Sequence, residues 1–519
     1  MSKLHIICVL GVLACAVSGA RAQDSSTPAP AGDAPQSAQQ QPVAAYGQDN
    51  SQNNPQVAPI SENPPLSGLD LPSLEPNAAP LSYLQPGATV SESALSNAGA
   101  EVGGSGVSSR SLAMGSILLK RLWSHYDLAL DYMGGVGYYT LTGEGFESLQ
   151  QLDFVQKITW KRGELSLRDS FSYLPEGNFG GSYGSVGSQG ISSLGNTAFG
   201  GFWGGSSLGN LGLVPRVLNV SVADVSEMLT PKSSITVAGG YAFMHFYGTD
   251  VSGASFIGSS QASAQLGYNR TLTARTQIGL DYGYQGFNFS VLGTAFHSHV
   301  IQGLYGHRIS GRMDLLAGAG PQITFIDTQS AVCSESIVMP YYCQIFGGTL
   351  IPTTVKSTKL GVAAQGRLRY KFPKTSLDLE FQRFETSGSG LFAGAQSNIV
   401  SVNVHRPLSR TVNGFVDIGY STNAMLQPLS EQQLIACTTA QTSQTACPAN
   451  NATSYNYAFV GGGLQRAFGR NFHAYVSYQF NELSFNQSYC QGTSACNRIS
   501  NQSVATFGLD WTPRPIRID

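Results

Sequence analysis

The chain has 519 residues with a formal net charge of −2 at pH 7, and 60 of its residues are glycine. Only 12% of the residues are charged while 10% are aromatic, a composition unlike that of an ordinary soluble globular protein. Neither sign of charge is in large excess, so nothing indicates a nucleic-acid partner. No run of about 18 apolar residues follows the first two dozen, which excludes a transmembrane helix.

The N-terminus has the pattern of an export signal. Lys3 supplies the positive charge, residues 6–17 form an apolar stretch, and small residues precede a cleavage point between Ala22 and Gln23. We therefore expect residues 1–22 to be a signal peptide. A lipoprotein signal with Cys15 as the modified residue is the alternative, although it leaves a very short apolar stretch. Both signals direct the chain out of the cytoplasm.

Residues 23–80 are rich in Pro, Gln, Ala and Ser, and 12 of the 24 prolines lie between Pro28 and Pro86. Such a stretch buries too little apolar surface to offset the entropy of ordering it. We interpret it as a disordered periplasmic linker. Residues 81–519 then form the folded domain.

One pattern recurs eight times beyond residue 80: a tight, polar, usually basic connection lies between two segments of alternating polarity. Alternation with period two indicates strands with unlike faces, and short polar connections indicate antiparallel hairpins. The eight stretches begin at Leu119, Lys157, Glu227, Tyr268, Tyr305, Arg369, Asn403 and Leu464.

Longer connections alternate with these short turns; they cover 176–213, 329–354, 425–453 and 486–498. This sorting is typical of a transmembrane β-barrel, which has short periplasmic turns and long extracellular loops. Closure also satisfies a physical requirement, since every backbone N–H and C=O group in hydrocarbon must be paired within the protein.

The two faces of the strands support a barrel. In the segment from 164 to 173, Leu165 and Leu167 share one side with aromatic residues, whereas Ser166 and Arg168 lie opposite. One face suits lipid and the other suits water, so we expect a polar interior and not a packed apolar core. The alternation is blurred between residues 296 and 309.

The hairpins account for sixteen strands, and a last strand runs from Asn501 to Trp511. Seventeen is odd for a bacterial barrel whose termini lie on the same side of the membrane. A first strand from Pro86 restores an even number. We predict an all-β, closed antiparallel barrel of about 18 strands, with 16 as the alternative.

These features together resemble a Gram-negative outer-membrane β-barrel of the porin type. The resemblance covers residues 81–512 and lies in the architecture, not in a diagnostic motif. It implies a bacterial outer-membrane location with both termini periplasmic, and lipid and the assembly machinery as partners. It also allows a homo-oligomer. The chain departs from the usual aromatic C-terminus, because eight residues follow Trp511.

Six cysteines remain after removal of the signal peptide, and all of them fall in segments expected outside the cell. An even number in an oxidising compartment favours disulfides. Six cysteines allow fifteen pairings, and two within each loop favour local bridges. The expected pairs are Cys333 with Cys343, Cys437 with Cys447, and Cys490 with Cys496.

This pairing predicts that thiol titration of the denatured, unreduced mature protein finds almost no free cysteine. Each bridge closes a short loop and contributes roughly 2–3 kcal/mol of stability, less any strain. Several free thiols would contradict the pairing.

Charged residues with the parity of the inner face are the candidate functional site. Facing rows of cations and anions would order water and select solutes by charge. The alternative is that they form salt bridges between neighbouring strands of the wall. The candidate residues are Arg367, Arg369, Lys371, Asp378, Glu380, Asp127, Asp131, Lys157 and Arg168.

The expected function is a porin-like channel for passive diffusion of small hydrophilic solutes or ions. The alternative is a plugged barrel that displays disulfide-tied surface loops for adhesion or reception. The sequence has no Walker loop, HExxH, GxSxG or Rossmann glycine pattern. We expect no enzymatic activity, no cofactor and no metal, although His297 and His299 lie two apart on one face.

Overall fold

The computed structural model describes residues 82–97, 106–140, 145–174, 216–247, 257–289, 293–333, 350–386, 393–426, 454–486 and 498–518. Within these ranges no helix is long and apolar enough to cross a membrane. The expected signal peptide and linker lie outside the described residues.

The described chain consists of strands. The first ten are β1 (Tyr83–Ser96), β2 (Val107–Leu122), β3 (Tyr126–Tyr139), β4 (Gly145–Trp160), β5 (Gly163–Leu174), β6 (Arg216–Thr230), β7 (Ser233–Phe246), β8 (Ser259–Thr273), β9 (Thr276–Phe289) and β10 (Thr294–Ser310). The remaining nine are β11 (Met313–Cys333), β12 (Leu350–Lys371), β13 (Ser376–Thr386), β14 (Ala395–Pro407), β15 (Val412–Met425), β16 (Ser454–Phe468), β17 (Phe472–Asn486), β18 (Arg498–Trp511) and β19 (Ile516–Arg517).

Each strand from β1 to β18 pairs antiparallel with its neighbours in the chain, and β18 pairs with β1 to close the wall. The closing ladder runs from Ala88 opposite Trp511 to Leu95 opposite Val504. The prediction of a closed barrel with 18 strands is therefore confirmed. The two-residue strand β19 pairs with Tyr83 and Leu84 at the start of β1, so the extension after Trp511 continues the seam.

All eight predicted short turns are present, and they connect β2 to β3, β4 to β5 and so on to β16 and β17. The connections at the opposite end are less uniform than expected. Residues 140–144 and 290–293 join β3 to β4 and β9 to β10 with only a few residues. Strand β10 also covers the whole segment whose alternation is blurred. We call the two ends of the barrel the short-turn end and the long-loop end.

The outer face of the wall is apolar, as the alternation predicts. On β9, Leu280 is 58% exposed while the neighbouring Asp281 is fully buried on the inner face. Ile278 is likewise exposed and Gln277 buried. Exposed valine, leucine, isoleucine and tyrosine side chains recur on this face around the wall, which is the surface that hydrocarbon requires.

Aromatic side chains form a belt on the outer face at the short-turn end. Trp and Tyr prefer the boundary between lipid and water because one part of the ring is apolar and another is polar. Two arginines, Arg121 and Arg466, stack on rings of the belt. Its exposed members are Trp123, Tyr126, Trp160, Phe468, Phe472 and Trp511.

The inner face changes character along the barrel, and here the expectation of a polar interior is wrong in part. Polar and charged side chains line it towards the short-turn end. Towards the long-loop end it carries a buried apolar cluster drawn from six strands or their ends. The alternation on β6 is inverted there, since Leu218, Val220 and Val222 point inward while Asn219 and Ser221 lie on the other parity. The members of this inner apolar cluster are Leu218, Val220, Val222, Ala242, Met244, Phe246, Phe287, Phe289, Phe296, Ile326 and Leu426.

Candidate functional site: the charged inner wall near the short turns

Two arginines on β12 form bidentate ion pairs with aspartates of the strands on either side. Arg367 donates from Nε to both carboxylate oxygens of Asp378 on β13, at 3.0 Å each, and Nη2 makes a further close contact. Arg369 donates from Nε and Nη2 to Asp314 on β11, at 3.0 and 2.5 Å. Each guanidinium therefore ties β12 to a different neighbour.

The local sequence explains this arrangement. In residues 366–371 basic residues alternate with residues whose side chains face outward, so Arg367 and Arg369 share the inner face. The register places Arg369 between Asp314 and Asp378, and Arg367 opposite Glu380. Strict period-two alternation on three paired strands thus builds a patch of both charges within the wall.

A second charged patch lies on β2 to β5. Asp127 and Lys157 are directly opposite in the β3–β4 ladder, and the inward Lys120 lies on β2 beside them. Further along the same ladder Asp131 faces Asp153. Two carboxylates side by side repel each other, so the site needs donors around them.

Those donors come from adjacent positions on the inner face. Ser170 Oγ donates to Asp153 at 2.6 Å, and Gln151 Nε2 donates to its other oxygen at 2.6 Å. Arg168 lies on β5 and donates from Nε to Ser166 Oγ at 3.0 Å. Two neutral donors therefore bind Asp153, one at each carboxylate oxygen.

The two patches lie on opposite sides of the barrel. β3 and β12 are nine strands apart in either direction around the closed wall. The nine predicted residues all belong to one patch or the other, on the parity predicted for them. The predicted cationic and anionic rows, however, are neighbours within the wall, because β12 and β13 are adjacent. The geometry of Arg367 and Arg369 is that of the salt-bridge alternative.

Several inner charges escaped the sequence prediction. Asp314, Asp153 and Lys120 follow the same alternation as the residues that were predicted, so the signal was present at their positions. The alternation does not predict on which neighbouring strand an arginine finds its ion-pair partner. That choice depends on the register between strands.

Other predicted groups are placed as follows. Cys333 is the last residue of β11, not a loop residue as expected, and the other five cysteines lie outside the described residues. His297 and His299 face outward, where their Nδ1 atoms lie 2.9 Å from the hydroxyls of Tyr284 and Tyr282. No cluster of metal-ligating side chains occurs among the residues that the structure describes.

The closed wall of eighteen strands, the apolar exterior with its aromatic belt and the charged interior define a closed antiparallel β-barrel of the kind that crosses a membrane with strands. No protein-family model matches the sequence, and no curated protein matches it significantly.

Solved structures of barrels are similar in outline. The outer membrane protein OpdK from Pseudomonas aeruginosa is 10% identical with a TM-score of 0.38, over 83% of this chain and 99% of that chain. The ferric-catecholate import receptor Fiu from E. coli K12 in its open form is 8% identical with a TM-score of 0.41, over 84% and 82%. OccAB3 from Acinetobacter baumannii is 7% identical with a TM-score of 0.37, over 83% and 99%. Similarities at this level say nothing about solutes or partners, and the architecture rests on the strand pairing of this chain.

Proposed function

We propose that the chain is an outer-membrane channel through which small hydrophilic solutes or ions diffuse passively. One observation carries the proposal: a closed wall is apolar outside and presents two opposed charged patches inside. A barrel of eighteen strands is wide enough for an aqueous passage unless something fills it. Charged and amide groups on its inner face replace part of the hydration of a passing solute.

The composition of the patches makes the proposal more specific. The β11–β13 patch holds Arg367, Arg369 and Lys371 with Asp314, Asp378 and Glu380, and the β2–β5 patch also carries both signs of charge. Neither patch presents one sign alone. We infer a passage that favours polar or zwitterionic solutes and discriminates modestly between small cations and anions.

The remaining parts of the chain belong to the same proposal. Residues 1–22 direct export, residues 23–80 form a periplasmic linker, and both termini lie in the periplasm with the short turns. The assembly machinery inserts the barrel, and disulfides tie its outer loops. The barrel performs no catalysis.

Recording from planar bilayers tests the channel. Stepwise increases in conductance after insertion of the purified protein are the expected result. An inserted barrel that stays silent, both in the wild type and in the gate variants described below, would favour display of surface loops instead.

A further inference from the structure

The wall of the barrel forks between β12 and β13. The ladder between these strands ends where Ala364 pairs with Arg383, whereas the ladder between β13 and β14 continues to Thr386 opposite Ala395. At the fork, Arg383 donates from Nε to the backbone oxygen of Val362 at 3.1 Å. A side chain thus binds the edge of β12 at the level where β13 leaves it.

Beyond the fork, β13 contacts a strand that is not its neighbour. Thr324 Oγ1 on β11 donates to Glu385 Oε1 on β13 at 2.5 Å, past the intervening β12. Thr324 also lies 3.3 Å from Ser298 on β10, which accepts from Gln322 at 2.9 Å. Thr324 and Glu385 are at most 2% exposed. The end of β13 therefore lies over the inner face of β10 and β11.

The residue before β14, Gly394, also lies against the inner face of β10. Gly394 has a φ of +85°, and a Cβ built on it would lie 2.6 Å from Phe296 Cε2 and 3.1 Å from Leu426 Cδ1. Glycine is required here by both the backbone conformation and the space. Leu426, at the end of β15, donates its backbone N–H to Gly394 O at 3.2 Å. Phe296, Gly394 and Leu426 thus form one contact between β10 and the ends of β14 and β15.

These contacts are incompatible with a round barrel. Strands β10 and β14 are four apart in the wall. With strands about 4.8 Å apart and tilted by about 40°, a round wall would separate them by roughly 20–25 Å. The contact between the Phe296 ring and Gly394 therefore requires the wall to bend inward by most of this separation of roughly 20–25 Å. The bend brings Leu426 into the inner apolar cluster, which reaches β6 on the opposite side.

We propose that the inward-bent ends of β13, β14 and β15 are a gate that closes the long-loop mouth of the channel. The proposal rests on the channel function proposed above and assigns it a closed state. The inner apolar cluster excludes hydrated solutes, because an apolar constriction loses its water. The bond between Thr324 and Glu385 acts as a latch beneath the cluster.

The fork supplies the alternative arrangement that a gate needs. Extending the β12–β13 register by three residues would pair Phe384 with Ala363, Glu385 with Val362 and Thr386 with Gly361. This pairing would carry β13 back into the wall and withdraw Glu385 from Thr324. The same residues thus have two discrete hydrogen-bonding arrangements, as expected of a two-state element. The open state is the one with the longer ladder.

Two variants with matched controls test the gate by the fraction of time that single channels are open. Thr324→Val removes the hydrogen bond from Thr324 to the buried Glu385 carboxylate, which destabilises the closed state. We expect it to raise the ratio of open to closed time about tenfold. Its control is Thr236→Val, because Thr236 is fully buried on the inner face of β7 and its Oγ1 has no hydrogen-bond partner among the described residues. Gly394→Ala is expected to open the channel because its Cβ displaces Phe296. Its control is Gly469→Ala, which has a similar φ of +69° and open space around it.

Each possible outcome of these recordings supports or overturns the proposed gate. Opening by Thr324→Val and Gly394→Ala, with both controls unchanged, supports the gate. A wild type that is already fully open and is matched by all variants overturns the gate and leaves the channel intact. Equal opening by the controls overturns the gate as well, since general loosening then explains it. Silence of every folded variant, with folding checked by the heat-dependent gel shift of barrels, overturns both gate and channel.

Discussion

Replacing Arg367 and Arg369 together with alanine is expected to make the channel about fivefold more selective for cations over anions. The change leaves Asp314 and Asp378 in place without their ion-pair partners. In water a unit charge acts on an ion about 8 Å away with about 0.5 kcal/mol, so the loss of two positive charges favours a cation and disfavours an anion by about fivefold each. Screening by salt over about one Debye length reduces the combined change in the ratio to about fivefold. Reversal potentials in a salt gradient measure the effect, on a Thr324→Val background if the wild type is mostly closed.

Arg→Lys at both positions is the matched control for this prediction. Lysine keeps the charge but loses the bidentate geometry, so selectivity should stay near that of the wild type while stability falls. If the alanine and lysine variants both show the wild-type reversal potential, the ion pairs only hold the wall together and the patch is not a filter.

Adjacent residues of β17 should respond very differently to a lysine. Tyr478 is exposed on the outer face near the middle of the strand, whereas Gln479 is buried on the inner face. Tyr478→Lys places a charge in hydrocarbon and is expected to cost about 2–4 kcal/mol of unfolding free energy. Gln479→Lys retains a donor for Asn481, to which Gln479 Nε2 donates at 2.7 Å, and should cost much less.

Reversible denaturant unfolding in lipid vesicles measures both variants under the same conditions. Because the two residues lie at nearly the same depth, the difference between their changes in unfolding free energy depends on which face of the wall each residue occupies and not on its position along the strand. Equal costs would mean that β17 does not separate lipid from the interior.

Most of the barrel could be predicted because its determinants are local. A short polar turn between two alternating segments defines a hairpin by itself, and all eight hairpins were correct. The number of strands required one further inference, the weakly patterned strand that β1 confirmed. Period-two alternation also accounts for Asp281 and Gln277 of β9 on the inner face, where both are buried. These properties depend on the period of a strand and not on distant contacts.

The errors concern features that depend on the tertiary structure. Nothing in the segment from Ser376 to Thr386 shows that β13 leaves β12 after Arg383, since Glu385 takes its partner from a strand two positions away. The apolar inward face of β6 could be read from its sequence, but only the structure shows that it belongs to the inner apolar cluster. The partner of Arg369 depends in the same way on the register with β11.

A cysteine pair across the seam between β1 and β18 tests the closed wall most directly. Val90 and Leu509 are opposite in the closing ladder, and both side chains are exposed on the outer face. Facing residues of paired strands lie at a Cα separation of about 4.5–5.5 Å, within the range of a disulfide. The account predicts that Val90→Cys with Leu509→Cys forms an intramolecular bridge in the inserted protein, seen as a reduction-sensitive mobility shift. Val90→Cys with Val476→Cys, two strands away, and each single variant, should show no shift beyond that of the native cysteines. An open sheet would hold β1 and β18 about 80 Å apart, so a failure of the first pair to bridge would contradict the barrel.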